Sequence, residues 1–504
     1  MSTIAASVKN HEAAFRRIVM FTLLYLIAPG QAMFPITDPD IWWHLRVGEW
    51  IVANRSVPFQ DYFSAYGAGK PWFAYSWLFE VLVYAVHTRF GLTGIVWFTV
   101  AMALVITWAV HRLVRLAHLP LFAEVTLTAL AVAAMKPLMS PRPWLFTILC
   151  FSVELFLISR ALREGKTRGL WFLPLIFVLW VNVHVQFVYG LAILALLLFE
   201  VLLVAGLGRV GFRAPPSLSP KLLVSVTAIS CLATLVSPYH IWIFRPIWEY
   251  VVQTDTFQTI AEFHPMLFRS PQDWIVLALT LAAVFVLGWQ RKWSVFPMLL
   301  LLLGVALGFR ARRDTWLLVL VAIWIIGSHL RHRFPGNSFA VTKSQIVAVG
   351  TLTVLALYSF SLGRRIHEAN QRSVVAHEFP LDAVAYIKQN RLPGPIFNTL
   401  DWGGFLIWSL REIPVVIDGR TNLHGDERVK KFVRAWLGYP GWDADPEFLS
   451  ARLIIADHHR PLTWLLRRDS RFKIAHEDRT AVVFVPAGSR LISDDAKKGG
   501  KTDR

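Results

Sequence analysis

Apolar runs long enough to cross a hydrocarbon core as helices recur down most of this chain, separated by short segments rich in arginine, tryptophan and proline. The pattern predicts spans near residues 18–35, 93–110, 120–137, 144–160, 170–183, 190–206, 221–237, 273–289, 294–309, 315–329 and 344–361, about eleven in all. The run Trp77–His87 is too short to cross and is interrupted by Glu80. It is expected to form an amphipathic helix at a membrane surface. After residue 362 the period changes. Short strand-like runs, Pro395–Asn398, Pro414–Ile417, Leu453–Ile455 and Ala481–Val485, alternate with the helical stretches Asp382–Gln389 and Glu427–Leu437. That alternation predicts a small α/β domain with a largely parallel sheet. The expected organisation is an α-helical polytopic membrane domain over 1–362 with a long loop at 36–92, an α/β domain over 363–490, and a disordered tail over 491–504.

Composition agrees with the membrane reading. The chain has 504 residues, 55% hydrophobic and only 17% charged, less charge than a soluble protein carries. A net charge of +18 would suit nucleic acid, but the basic residues cluster between apolar runs, so no nucleic-acid partner is expected. Arg16/Arg17, Arg112/Arg115, Arg160/Arg163/Lys166/Arg168, Arg209/Arg213, Arg291/Lys292 and Arg331/Arg333 fall on one side if the spans alternate. The positive-inside bias makes that side cytoplasmic. The amino terminus is then inside, and the 36–92 loop, the 238–272 loop and everything after 362 are extracytoplasmic, as in a multi-pass bacterial plasma-membrane protein. Arg310, Arg312 and Arg313 break the rule. Ile18–Phe34 follows Arg16 and Arg17 with no small-residue cleavage site, so it is expected to be a retained first span. Cys150 and Cys231 lie in apolar runs and lack metal-ligand spacing.

The first loop opens Thr37-Asp38-Pro39-Asp40-Ile41-Trp42-Trp43-His44. Carboxylates at the edge of a bilayer are costly to hold. Asp38 and Asp40 flank a proline that fixes their spacing, and they are candidates for a catalytic base or for binding a divalent cation such as Mg²⁺ or Mn²⁺. The competing expectation makes Asp38 a turn residue and Asp40 the N-cap of a helix Ile41–Val52. His44, one turn further on, is a candidate for metal or phosphate contact, and Glu80 is a second candidate acid. Asn182 and His184 close a span and are suited either to bind sugar or phosphate or to bond between helices. Glu262 and His264 lie in a loop that could order over a substrate. Arg310, Arg312 and Arg313 are candidates for holding a phosphate bidentately, with Arg142 behind them; their alternative is headgroup snorkelling. Asp401-Trp402-Gly403-Gly404 could turn into a helix with its glycines admitting a ligand, or Asp401 could simply cap that helix.

Three of these patches resemble the GT-C superfamily of polytopic glycosyltransferases. They are the acidic loop from Asp38-Pro39-Asp40; Trp180-Val181-Asn182-Val183-His184, similar to a bacterial Trp-x-Asn-x-His signature; and Asn398-Thr399-Leu400-Asp401-Trp402-Gly403, with Asp418-Gly419-Arg420 downstream. The third resembles the Trp-Trp-Asp-Tyr-Gly motif of oligosaccharyltransferase catalytic subunits, except that Thr399 and Leu400 stand where the paired tryptophans would be. The resemblance implies a hexosyl-transferring enzyme with a polyprenyl-phosphate-linked sugar as donor and an outer-face glycan, lipid or protein as acceptor, working among membrane lipids. It also implies an acidic residue of the first loop as base or metal ligand, inversion at the anomeric carbon, and acceptor binding at Asp401 and Trp402. Two other classes fit a polytopic chain: a transporter or flippase, and a non-catalytic assembly protein that keeps the fold. The long acidic loop, the outer α/β domain and the lack of an internal repeat argue against a transporter.

Overall fold

The computed structural model describes residues 2–207, 218–289, 294–330, 343–363 and 366–489. The basic pairs Arg209/Arg213, Arg291/Lys292 and Arg331/Arg333 and the 491–504 tail lie outside the described residues. The chain separates into two compact units. The first comprises Met1–Phe34, Thr93–Ile243 and Glu262–His367; the second comprises Pro35–Leu92, Phe244–Ala261 and Glu368–Arg504.

The first unit is helical. Each of the eleven apolar segments read from the sequence coincides with helix. Among the described residues, four helices are long and apolar enough to cross a membrane by length and composition: Trp77–Arg115, Trp144–Glu164, Phe187–Ala205 and Pro271–Gly288. Shorter apolar helices include Leu121–Ala134, Pro220–Ala233 and Val295–Arg310. Helix Ser2–Gly30 packs along Lys343–Gly363 through a seam of Met20, Leu24, Ile27, Leu352 and Ala356. Other apolar side chains point away from the protein; Phe285 is 62% exposed and Leu302 65%. Apolar residues on every face of a helix suit a lipid surround rather than water.

The run at Trp77 belongs to a helix that continues to Arg115 with a break at Gly91, whose φ of 64° and ψ of −159° suit glycine alone. A β-carbon there would also press on the Glu368 carboxylate at 2.9 Å. Residues 77–90 and 92–115 are thus two helical pieces.

Among its described residues the second unit carries one four-stranded sheet. Its strands are β1 (Ile396–Asn398), β2 (Leu453–Asp457), β3 (Phe472–Glu477) and β4 (Ala481–Pro486), in the order β1-β2-β4-β3. Only β1 and β2 are parallel, with Ile396 opposite Leu453; β4 runs antiparallel to both β2 and β3. The expectation of a largely parallel sheet is therefore corrected. The turn between β3 and β4 is too short for a crossover and is tied by Asp478, whose Oδ1 accepts from the Thr480 and Ala481 amides at 2.7 and 2.8 Å. Pro414–Ile417 is not a strand of its own; Val415 only bridges Ile396 and Ser64. The core gathers Phe397, Phe432, Trp436, Phe448, Ile454, Val482 and Phe484. The helices expected at Asp382–Gln389 and Glu427–Leu437 form as Leu381–Asn390 and Asp426–Trp436.

Candidate functional site

In the second unit, helix Asp40–Asn54 begins one residue earlier than the capping expectation required. The N-cap is Pro39, and Asp40 is the first helical residue. Asp38 forms the turn that leads into it: its Oδ1 accepts the Asp40 amide at 3.0 Å. Asp40 adds its charge to the helix N-terminus, where the dipole favours it. Its carboxylate lies over Gly419, and a β-carbon at Gly419 would collide with Asp40 Oδ1. The same β-carbon would stand 3.5 Å from the indole nitrogen of Trp43. That buried N–H has no hydrogen-bond partner among the described residues. Trp43 sits inside the quoted motif, and an amphipathic indole beside a carboxylate was the signal to follow.

His44 and Glu80, expected as separate candidates, form one pair. Both are buried, with His44 Nδ1 3.3 Å from Glu80 Oε1. Glu80 Oε2 has no hydrogen-bond partner among the described residues. Gly48 lets this region close, because a β-carbon there would collide with the Glu80 carbonyl.

The Asp-Trp-Gly-Gly patch is placed differently from expectation. Asp401 follows the first residue of helix Leu400–Ser409; the N-cap is Thr399, without a side-chain cap bond. Its carboxylate is exposed and paired with Arg460 at 3.0 Å. Trp402 is buried and donates its indole N–H to the Glu378 carbonyl at 3.1 Å. The glycines admit the chain's own backbone rather than a ligand. A β-carbon at Gly403 would collide with the Ile417 carbonyl, and one at Gly404 would lie 2.8 Å from the Pro39 carbonyl.

Behind Asp40, Asp418 and Arg420 of the third motif meet Asp61, which the sequence did not single out. Arg420, fully buried, forks onto Asp418 through Nε at 2.8 Å and Nη2 at 2.6 Å, and its Nη1 donates to Asp61 Oδ1 at 2.6 Å. Its guanidinium also faces Trp72 at 4.7 Å. Burial by itself would raise the Asp418 carboxyl, but Arg420 and His424 outweigh it and hold Asp418 far below the usual carboxylate range. Burial would likewise lower Arg420, yet Asp418 and Asp61 raise it above its ordinary value. Asp418 and Arg420 therefore carry fixed charge at neutral pH.

A second tie holds the segment Phe244–Ala261. Asp426 accepts the Thr254, Asp255 and Thr256 amides at 2.7, 2.7 and 2.6 Å, together with the Thr256 hydroxyl at 2.6 Å. It caps the short helix Asp255–Thr259 from a distant part of the chain. Gln253 adds a bond to the Thr421 carbonyl at 2.9 Å, and the Tyr75 and Tyr250 hydroxyls meet at 2.9 Å.

In the first unit, the structure brings together the arginine expected to be secondary and one of the three expected to lead. Arg142 lies 3.6 Å and Arg313 3.7 Å from the two oxygens of Glu262. Both guanidiniums are largely buried, at 11% and 13% exposure, and each faces an aromatic ring, Trp144 and Phe263 respectively. Arg310 ends helix Val295–Arg310 and is exposed. The Arg312 amide donates to the His264 carbonyl at 3.0 Å. Asp314, next in sequence, is buried and accepts from Gln186 at 2.7 Å and the Tyr189 hydroxyl at 3.2 Å. A carboxylate between two apolar runs was a visible signal for Asp314. His184 is buried, its Nδ1 2.8 Å from the Thr147 hydroxyl, which also accepts from Trp180. The Asn182 side-chain amide donates to the Val178 carbonyl of its own helix and to the Val236 carbonyl just past helix Pro220–Ala233, both at 2.8 Å.

Among the described residues, no group of three or more His, Cys, Asp or Glu side chains could hold a metal. Asp38 and Asp40 offer two carboxylates, which fits Mg²⁺ or Mn²⁺ only if substrate oxygens complete the shell.

No protein-family model matches the chain, and no curated protein matches it in sequence. Solved structures match in fold. One is ArnT from Cupriavidus metallidurans bound to undecaprenyl phosphate, at 13% identity and a TM-score of 0.54, covering 94% of this chain and 98% of that one. Another is the apo oligosaccharyltransferase of Archaeoglobus fulgidus, at 12% identity and a TM-score of 0.53, covering 87% of this chain and 69% of that one. The chain thus shares its fold with these two structures.

Proposed function

We propose that this chain is an integral membrane glycosyltransferase that moves a sugar from a polyprenyl-phosphate-linked donor to an outer-face acceptor. The observation that carries the reading is the convergence of Arg142 and Arg313 on Glu262 within an apolar helical unit. Two largely buried guanidiniums meeting on one carboxylate form a cradle for a phosphate oxyanion. Their separations from Glu262 exceed the about 2.7–2.9 Å of a charge-assisted hydrogen bond, which suits an ion pair that a ligand anion can enter. The fold shared with a protein solved with undecaprenyl phosphate agrees with that ligand class.

The chemistry follows. An acceptor hydroxyl or amide attacks the anomeric carbon, and the bond from that carbon to the phosphate oxygen breaks. The electron pair leaves on the polyprenyl phosphate, whose charge Arg142 and Arg313 stabilise, with Arg310 and Arg312 as further cations. The acceptor proton passes to a carboxylate, assigned to Asp40, with Asp38 holding the turn. Single displacement inverts the anomeric centre. Glu80 with His44 is the alternative acid, and His184 and His264 are the remaining substrate contacts. The acceptor, whether glycan, lipid or protein, is assigned to the second unit.

The Lys/Arg bias puts the amino terminus in the cytoplasm of a bacterial cell and residues after 370 outside, which reporter fusions there test. Lipid profiling of a strain lacking the chain tests the function. One polyprenyl-linked sugar should accumulate; an unchanged lipid and glycan profile would contradict the reading.

A further inference from the structure

The second unit contains a cavity of about 430 Å³ whose construction is independent of Asp40 and of the Arg420 cluster. It opens beside helix Asp426–Trp436. That helix buries Val429, Phe432 and Trp436 in the core and turns Lys430, Lys431 and Arg434 to the cavity. The turn after the helix also lines it and carries Tyr439 and Trp442. Gly438 at φ 77° and Gly441 at φ 98° shape this turn, a backbone that other residues rarely adopt. Trp442 packs edge-on against Phe448 at 5.1 Å and remains only partly buried; Tyr439 is 49% exposed. Both rings are thus held in place with surface left over.

The charges decide the ligand class. Lys430 already holds Asp255 at 3.0 Å, and Lys431 holds Asp445 at 2.8 Å. Asp445 is buried and fixed as the cap of helix Pro446–Ser450, accepting the Glu447 amide at 2.8 Å. Arg434 faces the Tyr439 ring at 4.6 Å. An anion reaching either lysine would have to displace its resident carboxylate. A neutral polyhydroxyl ligand would not. It needs donors and acceptors in near-equal number, which paired Lys and Asp side chains supply, and apolar faces for its C–H surfaces, which Tyr439 and Trp442 supply. The volume lies within the about 300–1,000 Å³ of small-molecule sites.

We propose that this cavity is a carbohydrate-binding subsite for a short neutral glycan. Sugar capture here and sugar transfer by the chain stand or fall separately. The test uses the full chain in lipid nanodiscs with cellobiose, N,N′-diacetylchitobiose, maltose and lactose as probes, read by saturation-transfer NMR and calorimetry. Inorganic phosphate and sulfate form the competing arm. At least one disaccharide should bind saturably and resist competition by either anion. Trp442→Ala should weaken that binding about tenfold or more, and Trp442→Phe should restore most of it. Three results would each overturn the proposal: no disaccharide binds; Trp442→Ala and Tyr439→Ala leave binding unchanged in a chain that melts normally; or phosphate or sulfate displaces the sugar and binds more tightly.

Discussion

Arg420 donates from Nη1 to Asp61 Oδ1 at 2.6 Å, joining residues 359 positions apart with both side chains sealed from solvent. The bond fastens the first loop to the carboxy-terminal part of the chain, and the Ala65 amide repeats the tie through the Val415 carbonyl at 2.8 Å. Removing one partner of a buried pair leaves an uncompensated charge, at a cost of about 3–5 kcal/mol. Asp61→Ala should therefore lower the melting temperature and expose residues 57–75 to protease. Arg420→Lys should fare nearly as badly, because one ammonium cannot reproduce the fork onto Asp418 together with the bond to Asp61. Unchanged melting in both variants would show that the cluster is not structural.

Asp38 and Asp40 should separate. Asp38→Asn keeps an oxygen that can accept the Asp40 amide, so helix Asp40–Asn54 should start normally and activity should fall little. Asp40→Asn removes the charge assigned as base and should cost about 10²–10⁴-fold in turnover with normal expression and melting. Gly419→Ala should imitate it by driving the Asp40 carboxylate aside. Full activity of Asp40→Asn would make this loop structural.

The Asp426 latch gives a pH dependence. Burial pushes this carboxyl up, but the Thr256 hydroxyl and the amides of residues 254–256 outweigh it and bring it from 3.8 down to about 2. A carboxyl depressed on folding stabilises fully above its unfolded value and loses that contribution as pH falls through the folded one. Hydrogen exchange in Phe244–Ala261 should accordingly speed up, relative to the sheet, between about pH 4 and pH 2. Asp426→Ala should loosen the segment already at neutral pH, by about 0.5–2 kcal/mol, and flatten the trend. Equal protection in the variant and the wild type would remove the latch.

The helices were legible because apolar runs of crossing length have few other uses, and all eleven expected segments coincide with helix. The sheet was half legible. β1, β2 and β4 are buried apolar runs, whereas β3 is a partly exposed edge strand, Phe472–Glu477, whose mixed residues give no strong period. Strand direction turned on the Asp478 turn, not on hydrophobicity. Among the site residues, Asp38 and Asp40 were visible as carboxylates in an apolar context. Asp61 was not, because its meaning depends on Arg420. The glycines after Trp402 were misread for the same reason: what they admit, Pro39 and Ile417, is set by tertiary contact alone.

The measurement closest to the central claim is the affinity of the purified chain for a short-chain polyprenyl phosphate, compared across Arg142 and Arg313 variants. Each arginine changed to alanine should weaken binding about tenfold or more, and each changed to lysine should lose a good part of that, since the ammonium keeps charge but not the planar fork. Glu262→Gln should tighten binding by removing the carboxylate that shares both arginines. Equal affinity for wild type, lysine and alanine at both positions, with every variant folded, would contradict the account.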